Sequence, residues 1–201
     1  MATIKLNTPF DKEDIHNLKV GDTVYITGNM FTARDEAHLE MLKLHREGKE
    51  IPFKPGDMAL FHCGPVVQKV NDEWRIVSAG PTTSIRMEIF EDEFLKTFEV
   101  RMIIGKGGMG DRTLTALEEV GSVYVHYTGG AGALAAKAIK KVTCVYWLRE
   151  LGIPEAAWML DVEEFGPLSV TMDAHGNSLY VDLGKKVKKN LEKIHEKIEK
   201  G

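Results

Sequence analysis

The chain has 201 residues, of which 43% are hydrophobic and 28% charged, a composition typical of an ordinary globular domain. Its formal net charge of -4 gives no electrostatic reason to expect nucleic-acid binding, which needs a basic face. Two cysteines exclude a disulfide framework, and because iron–sulfur clusters are held by about three or four thiolates, they also exclude a cluster held by this chain alone.

Short strands and helices are predicted in the first half of the chain. A strand is predicted in LKVGDTVYITG, where Val20, Val24 and Ile26 alternate with polar residues and Gly28 ends the run. A helix is predicted in TARDEAHLEMLKLHREG, because apolar residues recur at helical spacing and Gly48 follows as a stop. Two further strands, both expected in one sheet, are predicted in MALFHCGPVV and WRIVSAGP.

The first half ends with a second helix, predicted in TTSIRMEIFEDEFLKTF and entered through a tight turn. The second half repeats the order strand, loop and helix. Two strand–loop–helix units follow, with the glycine loops GKGGMG and TGGAG, and they predict a parallel βαβ element whose last helix ends near LGIP. A hairpin with its turn at HGN is expected next. The chain then closes with a lysine-rich helix at about 185–200, whose apolar stripe is expected to pack within the chain.

These elements predict a single α/β domain over residues 1–201, with a mixed sheet and flanking helices. The first residues lack the basic and apolar regions of a signal peptide, and the sequence contains no apolar run of about 18 residues. We therefore expect a cytoplasmic protein that does not enter a membrane.

Junctions between strands and helices are candidates for anion binding, because free amides and positive helix ends meet there. Arg86 lies in the GPTTSIR turn, Lys106 lies in the GKGGMG loop, and Arg34 lies at the start of the first helix. An arginine can hold a carboxylate through two hydrogen bonds, and a lysine adds a point charge. Each cation taken alone is better explained by a surface ion pair than by a binding site. Together they predict a site for a small dicarboxylate.

A dinucleotide site is excluded, although GKGGMG has the spacing G-x-G-x-x-G at Gly105, Gly107 and Gly110. Such a site needs an acidic residue about 20 residues later to hold the ribose hydroxyls. Residues 120–149 contain no Asp or Glu. A phosphate-binding P-loop is excluded as well, because no Ser or Thr follows Lys106.

The histidines show no metal-binding spacing, so they do not predict a metal site. His38 is the one histidine with another candidate role. It lies one helical turn after Arg34 and so on the same helix face, where a proton-transfer group could act beside a substrate carboxylate. An ordinary, partly buried helix histidine is the equal alternative.

Four segments give the chain a specific resemblance: TARDEAH (32–38), GPTTSIRM (80–87), IIGKGGMG (103–110) and EFGPLSVTMDAHGNSLY (164–180). The chain resembles the beta subunit of the two-subunit iron–sulfur fumarate hydratases and L(+)-tartrate dehydratases, which is equivalent to the C-terminal domain of single-chain class I fumarases. The resemblance extends over residues from about 20 to 182. It implies a swivelling β/β/α domain packed against an alpha subunit, in a hetero-oligomer whose 4Fe-4S cluster belongs to the alpha subunit.

The resemblance further implies a hydro-lyase that hydrates fumarate reversibly to L-malate, as in the tricarboxylic acid cycle, and is active only with the alpha subunit. It assigns no metal ligand to this chain. The residues that it places at the substrate are Arg34, Arg86, Lys106, Thr83 and Gly107 for binding, and Thr82 and His38 for catalysis.

Several alternatives stay open at this level. L(+)-tartrate dehydration to oxaloacetate fits the same motifs. A protein that binds a dicarboxylate without catalysing a reaction is the alternative outside the enzymes. The motifs leave open whether Thr82 or Thr83 faces the substrate. A threonine hydroxyl is a weak base, and we expect the alpha subunit to provide the group that takes its proton.

Overall fold

The computed structural model describes the backbone of residues 2–200 and the side chains of residues 2–195 and 198. Nine strands lie in this part of the chain: β1 Thr3–Asn7, β2 Thr23–Thr32, β3 Ala59–Phe61, β4 Val66–Val70, β5 Glu73–Ser78, β6 Met102–Gly105, β7 Val123–His126, β8 Ile139–Tyr146 and β9 Ala157–Met172. The α-helices are α1 Lys12–His16, α2 Asp35–Arg46, α3 Glu91–Phe98, α4 Asp111–Val120, α5 Gly132–Ala138, α6 Leu148–Leu151 and α7 Leu179–Lys200. 3₁₀-helices occupy Pro55–Asp57 and Ser84–Ile89.

Seven strands form one mixed sheet in the order β1-β2-β3-β6-β7-β9-β8. The first five of these strands run parallel, and β9 runs antiparallel to both β7 and β8. An additional antiparallel pairing joins β9 to β2, from Thr23–Ser169 to Phe31–Met159. This pairing closes β2, β3, β6, β7 and β9 into a ring. The predicted α/β class, with a mixed sheet and flanking helices, is confirmed.

The two faces of the ring build two hydrophobic cores. In β6, Met102 and Ile104 belong to the core around Trp158, whereas Ile103 belongs to the core under the helices, around Phe94. All three β6 side chains are fully buried. A strand covered on both faces reads as a continuous apolar run, which explains the sequence MIIG.

Two predicted units are confirmed with their expected ends. The helix in TARDEAHLEMLKLHREG is α2, which ends before Gly48. The first strand–loop–helix unit is β6, the GKGGMG loop and α4, and β7 then pairs parallel to β6. Helix α4 ends at Gly121, whose left-handed φ of 74° glycine adopts without a Cβ clash.

The strand predictions need three corrections. β2 continues past Gly28 to Thr32, because that glycine takes up a register irregularity against β9 and does not end the strand. β4 and β5 form a separate two-stranded hairpin and are not part of the main sheet. The helix after TGGAG ends at Ala138, and the β-branched residues that follow form β8 instead.

The predicted C-terminal hairpin is also wrong. The HGN turn is present, with the Gly176 N–H donating to the Asp173 carbonyl at 3.4 Å. Only an isolated bridge between Met172 and Ser178 follows it, and α7 begins at Leu179. β9 pairs with β2, β7 and β8 instead, so its hydrogen-bonding edges are already used.

The apolar stripe of α7 lies in solvent, which contradicts the expected packing within the chain. Every side chain of α7 that the structure describes beyond Tyr180 is exposed, and no described element covers the stripe. The exposed fractions along the stripe are 65% at Val187, 50% at Leu191, 52% at Ile194 and 72% at Ile198. Only the first turn of α7 is anchored, by the Tyr180 hydroxyl, which donates to the Gly107 carbonyl.

Within residues 2–200, no helix combines the length and the apolar character needed to cross a membrane.

Removal of residues 185–201 should leave the domain folded, because the described side chains in that stretch are exposed. We expect the melting temperature to stay within about 2 °C of the full chain, with some loss of helical ellipticity. Trp158→Ala is the positive control, since removal of this fully buried side chain should lower the free energy of unfolding by about 3–5 kcal/mol. Thermal circular dichroism measures both, and a large loss of stability on truncation would show that the helix supports the core.

Candidate functional site

The candidate site lies where the parallel strands of the ring end. Arg34 follows β2, Lys106 follows β6 and the TGGAG loop follows β7. Because β2, β3, β6 and β7 are parallel, their carboxyl ends share one edge of the sheet. The junctions that the sequence singled out separately therefore meet at the same edge.

The GPTTSIR turn docks onto this edge through backbone contacts. The Thr82 N–H donates to the His62 carbonyl at 2.7 Å, and Thr83 forms a β-bridge with Lys106. The Ser84 N–H donates to the Lys106 carbonyl at 3.1 Å. The turn thus extends the ends of β3 and β6, which brings both candidate threonines beside the GKGGMG loop. Thr82 is half-buried and Thr83 is exposed.

A close approach at Gly105 seats the same turn. A Cβ at this position would collide with the Ser84 hydroxyl and with the Tyr124 hydroxyl. These hydroxyls hydrogen-bond to each other at 2.9 Å, and the Ser84 Oγ also accepts the Lys106 N–H at 3.2 Å. Glycine at 105 therefore serves the packing of the turn.

Arg34 caps the start of α2 with its backbone, and its side chain lies over Gly64. A Cβ on Gly64 would come within 3.1 Å of the guanidinium. The Arg34 Nε lies 3.2 Å from a Glu155 carboxylate oxygen, an ion-pair distance without hydrogen-bond geometry. The other oxygen of Glu155 accepts the Glu36 N–H at 3.1 Å, so one carboxylate joins Arg34 to the first turn of α2.

Arg86 is the most exposed of the three cations. Its side chain is 50% exposed and donates to the Asp35 carboxylate at 2.6 Å. Ile85 and Ile89 on the same 3₁₀ segment are exposed as well. The apolar surface of this segment is therefore only partly buried, and its exposed part lies next to Arg86 in the chain.

Lys106 lies between two glycine loops. Its side-chain stem passes over Gly129 of the TGGAG loop, where an added Cβ would lie 3.0 Å from the lysine Cδ. Among the side chains that the structure describes, Lys106 makes no ion pair, in contrast to Arg34 and Arg86. Gly107 follows with a φ of +77°, and its carbonyl accepts the Tyr180 hydroxyl from α7.

His38, His62 and Glu91 form a cluster beneath this edge, called the buried triad below. None of the three has any exposed side-chain surface. The Nε2 atoms of His38 and His62 lie 3.6 and 3.3 Å from the same Glu91 oxygen. Burial lowers the pKa of His62. Burial alone would raise the pKa of Glu91, but the interactions with the His62 and His38 rings outweigh it and lower that pKa to about 2.

His38 therefore has a different setting from the one expected for a proton-transfer residue at the substrate. Its Nδ1 lies 2.7 Å from the Arg34 carbonyl, and its ring packs against Phe90 and Phe94. The side chain is fully enclosed, so it offers no surface for contact with a substrate. Its catalytic role stays a prediction.

Comparison with known proteins gives relatives of nearly the same length. A protein named "Putative L(+)-tartrate dehydratase subunit beta" from Methanocaldococcus jannaschii is 48% identical over 183 residues, which cover 91% of this chain and 94% of that protein. An "L(+)-tartrate dehydratase subunit beta" of Escherichia coli is 41% identical over 193 residues, which cover 96% of this chain and 94% of the relative. The family model described as "Fumarase C-terminus" matches residues 1–183.

This chain belongs to the Fumarase C-terminus family. The resemblance predicted from the four motifs is thereby confirmed. The family also contains longer chains: a "Putative fumarate hydratase class I" of Geobacillus stearothermophilus is 42% identical over 196 residues, which cover 97% of this chain but only 37% of that protein. The Fumarase C-terminus match ends at residue 183, so most of α7 lies beyond it.

The cysteines of this Fumarase C-terminus domain do not fit an iron–sulfur cluster. Cys63 is buried next to Arg34, and burial raises the pKa of its thiol to about 12. Cys144 is exposed on β8, the edge strand of the sheet that pairs with β9. A cluster needs several convergent thiolates. Within the described residues, the group that could hold a metal by ligand type is the buried triad, whose ligand atoms lie within 4.8 Å of one another.

Sequence reasoning missed several residues that shape this site. Asp35 and Glu155 hold the two arginines, but surface acids carry no signal of their partners in the sequence. His62 and Glu91 were missed because burial of a polar side chain depends on tertiary packing. A Glu at the first position of a helix, as Glu91 is in α3, is ordinary helix-start chemistry.

The two thiols should differ sharply in reactivity, because the thiolate is the reactive form and only Cys144 is exposed. We expect the native chain to react with Ellman's reagent at one thiol, and Cys144→Ser to react only after unfolding. Cys63→Ser should retain the fast reaction. Rapid labelling of Cys63 in the folded Cys144→Ser chain would show that the Arg34 region opens to solvent.

Proposed function

We propose that this chain is the beta subunit of a hydro-lyase that acts on a four-carbon dicarboxylate, with fumarate hydration to L-malate as the first candidate reaction. The observation that carries the proposal is the convergence of Arg34, Arg86 and Lys106 with Thr82 on one sheet edge. The named relatives support the reaction class. L(+)-tartrate dehydration is the second candidate, favoured by the names of the relatives of similar length.

The charges of the site suit a dianion. Lys106 offers an unpaired ammonium among the described side chains, whereas Arg86 is held by Asp35 in a half-exposed pair. Exposed ion pairs stabilise by only about 0–1 kcal/mol, so a substrate carboxylate can replace Asp35 at little cost. Arg34, with its partly enclosed guanidinium, supplies the more fixed contact. The proposal assigns Thr83 and the exposed Gly107 backbone to the rim of this site.

The chemical role of the cations follows from the reaction. Removing a proton from carbon next to a carboxylate places negative charge on that carboxylate, and fixed cations stabilise it. We assign this role to Arg34, Arg86 and Lys106. Thr82 would transfer the proton to or from the reacting carbon. Its backbone N–H is fixed by the His62 carbonyl, which limits the movement of the residue. No side chain described here hydrogen-bonds the Thr82 hydroxyl, so the group that receives its proton is assigned to the partner.

An alpha subunit completes the proposed enzyme. Thr83, Arg86 and Gly107 are exposed, so a substrate bound here would stay in contact with water until a second surface covered it. Exposed Ile85 and Ile89 beside Arg86 fit such a contact. The two cysteines of this chain do not fit a 4Fe-4S cluster, and the proposal assigns that cluster to the alpha subunit.

Arg86→Ala should lower kcat/KM of the reconstituted two-subunit enzyme by about a hundredfold to a thousandfold, because one fixed cation at the developing charge is lost. Arg46→Ala is the matched control: Arg46 is a similarly exposed arginine, 2.6 Å from Glu93. The assay is anaerobic turnover of fumarate. Equal activity of the two variants would contradict the site assignment, and Lys106→Met against Lys96→Met repeats the comparison for lysine.

Turnover of fumarate and of L(+)-tartrate by the same preparation decides between the two candidate reactions. We expect the chain without its partner to turn over neither substrate. A complex that binds both dicarboxylates but converts neither would favour a binding module over an enzyme.

A further inference from the structure

The buried triad poses a problem of charge. The Glu91 carboxylate has no exposed surface, and neither of its oxygens has a hydrogen-bond partner among the described residues. A buried carboxylate without compensation is strongly unfavourable. Among the described side chains, its close cationic candidates are the rings of His38 and His62.

The contacts of the His38 ring favour a compensating charge at this residue. The Arg34 carbonyl can only accept a hydrogen bond, so the His38 Nδ1 at 2.7 Å carries a proton. A neutral ring would then aim the lone pair of Nε2 at the Glu91 carboxylate, 3.6 Å away. A second proton on Nε2 removes this repulsion. The contacts of the His38 ring therefore favour donation from both of its nitrogens, to the Arg34 carbonyl and to the Glu91 carboxylate.

His62 can remain neutral in the same network. The Ser84 Oγ accepts hydrogen bonds from the Lys106 N–H and from the Tyr124 hydroxyl, so its own hydrogen is available to the His62 Nδ1 at 3.0 Å. The proton of His62 then lies on Nε2, 3.3 Å from the Glu91 oxygen. This assignment agrees with burial lowering the pKa of His62.

The triad touches each segment that carries a proposed substrate residue. His38 holds the carbonyl of Arg34 at the start of α2. His62 holds the N–H of Thr82 through its own carbonyl at 2.7 Å. The His62 ring reaches the Lys106 segment through the serine hydroxyl described above. Glu91 joins the two rings, so a single carboxylate links three loops from different parts of the chain.

We propose that Glu91 and His62, acting with His38, are positioning residues that hold Arg34, Thr82 and Lys106 in the geometry needed for a dicarboxylate. This inference rests on the proposed function above. It also gives His38 a role compatible with its complete burial. Misplacement of binding groups by about 1 Å can reduce catalysis a hundredfold, so a fixed link between the loops has a direct effect on rate.

The test uses Glu91→Gln in the reconstituted two-subunit enzyme, which keeps the shape of the side chain and removes its charge. We expect kcat/KM to fall about tenfold to a hundredfold, with a clear rise in KM. The rise in KM is the decisive readout, because partial unfolding lowers the apparent kcat but leaves KM unchanged in the molecules that remain folded.

Leu95→Ala is the matched control, since Leu95 is a fully buried residue of the same helix α3 outside the triad. It should lower the melting temperature of the fold without changing KM. A Glu91→Gln enzyme that loses activity only in proportion to its folded fraction, with unchanged KM, would overturn the positioning role.

The double variant Glu91→Gln/His62→Gln should have a kcat/KM within about threefold of the poorer single variant, because the effects of members of one network are not additive.

A second measurement does not depend on the reaction. Nitrogen-15 chemical shifts of the histidine rings in the full chain should show a doubly protonated His38 and a singly protonated His62 at neutral pH. A neutral His38, or a stoichiometric transition metal bound to the triad, would contradict the network. If the wild-type complex converts neither dicarboxylate while these ring states are found, the proposed function fails but the network stands.

Discussion

The pairing of β2 with β9 is the constraint on which the rest of the structure depends. It closes five strands into a ring and fixes the parallel strands β2, β3, β6 and β7 with their carboxyl ends together. Both faces of the ring are buried, one around Trp158 and the other under the helices. The segments that carry Arg34, Thr82 and Lys106 are anchored at the strand ends of this closed ring, so the closure limits how far they can move relative to one another.

The parts of the fold that could be predicted were those with local signals. The β6–α4–β7 unit was visible because a strand pattern, a glycine loop and a helix pattern follow one another in sequence. The cations at the junctions were visible for the same reason. β8 was missed because TGGAG and the apolar run after it read as one helix, and the β-branched residues Val142, Thr143 and Val145 decide for a strand only when β9 is there to pair with them.

The buried triad could not be predicted because its members lie on three separate elements. His38 is on α2, His62 follows β3 and Glu91 begins α3, so nothing in their sequence spacing brings them together. Arg34, Arg86 and Lys106 could be named from the sequence because each lies within a short family motif. The carboxylates Asp35 and Glu155, which hold two of those groups in place, belong to tertiary structure alone.

The acidic partners of the two arginines have a consequence for selectivity. A site with three bare cations would attract phosphate and every other abundant anion of its surroundings. Here Arg34 and Arg86 already have carboxylates of the protein beside them, so an incoming ligand competes with an internal anion at each arginine. A monoanion replaces one of these carboxylates and gains little, whereas a molecule with two carboxylates at the right separation replaces both in a single event. If the proposed site binds a substrate, these two carboxylates of the protein would favour doubly charged ligands over monoanions at the arginines.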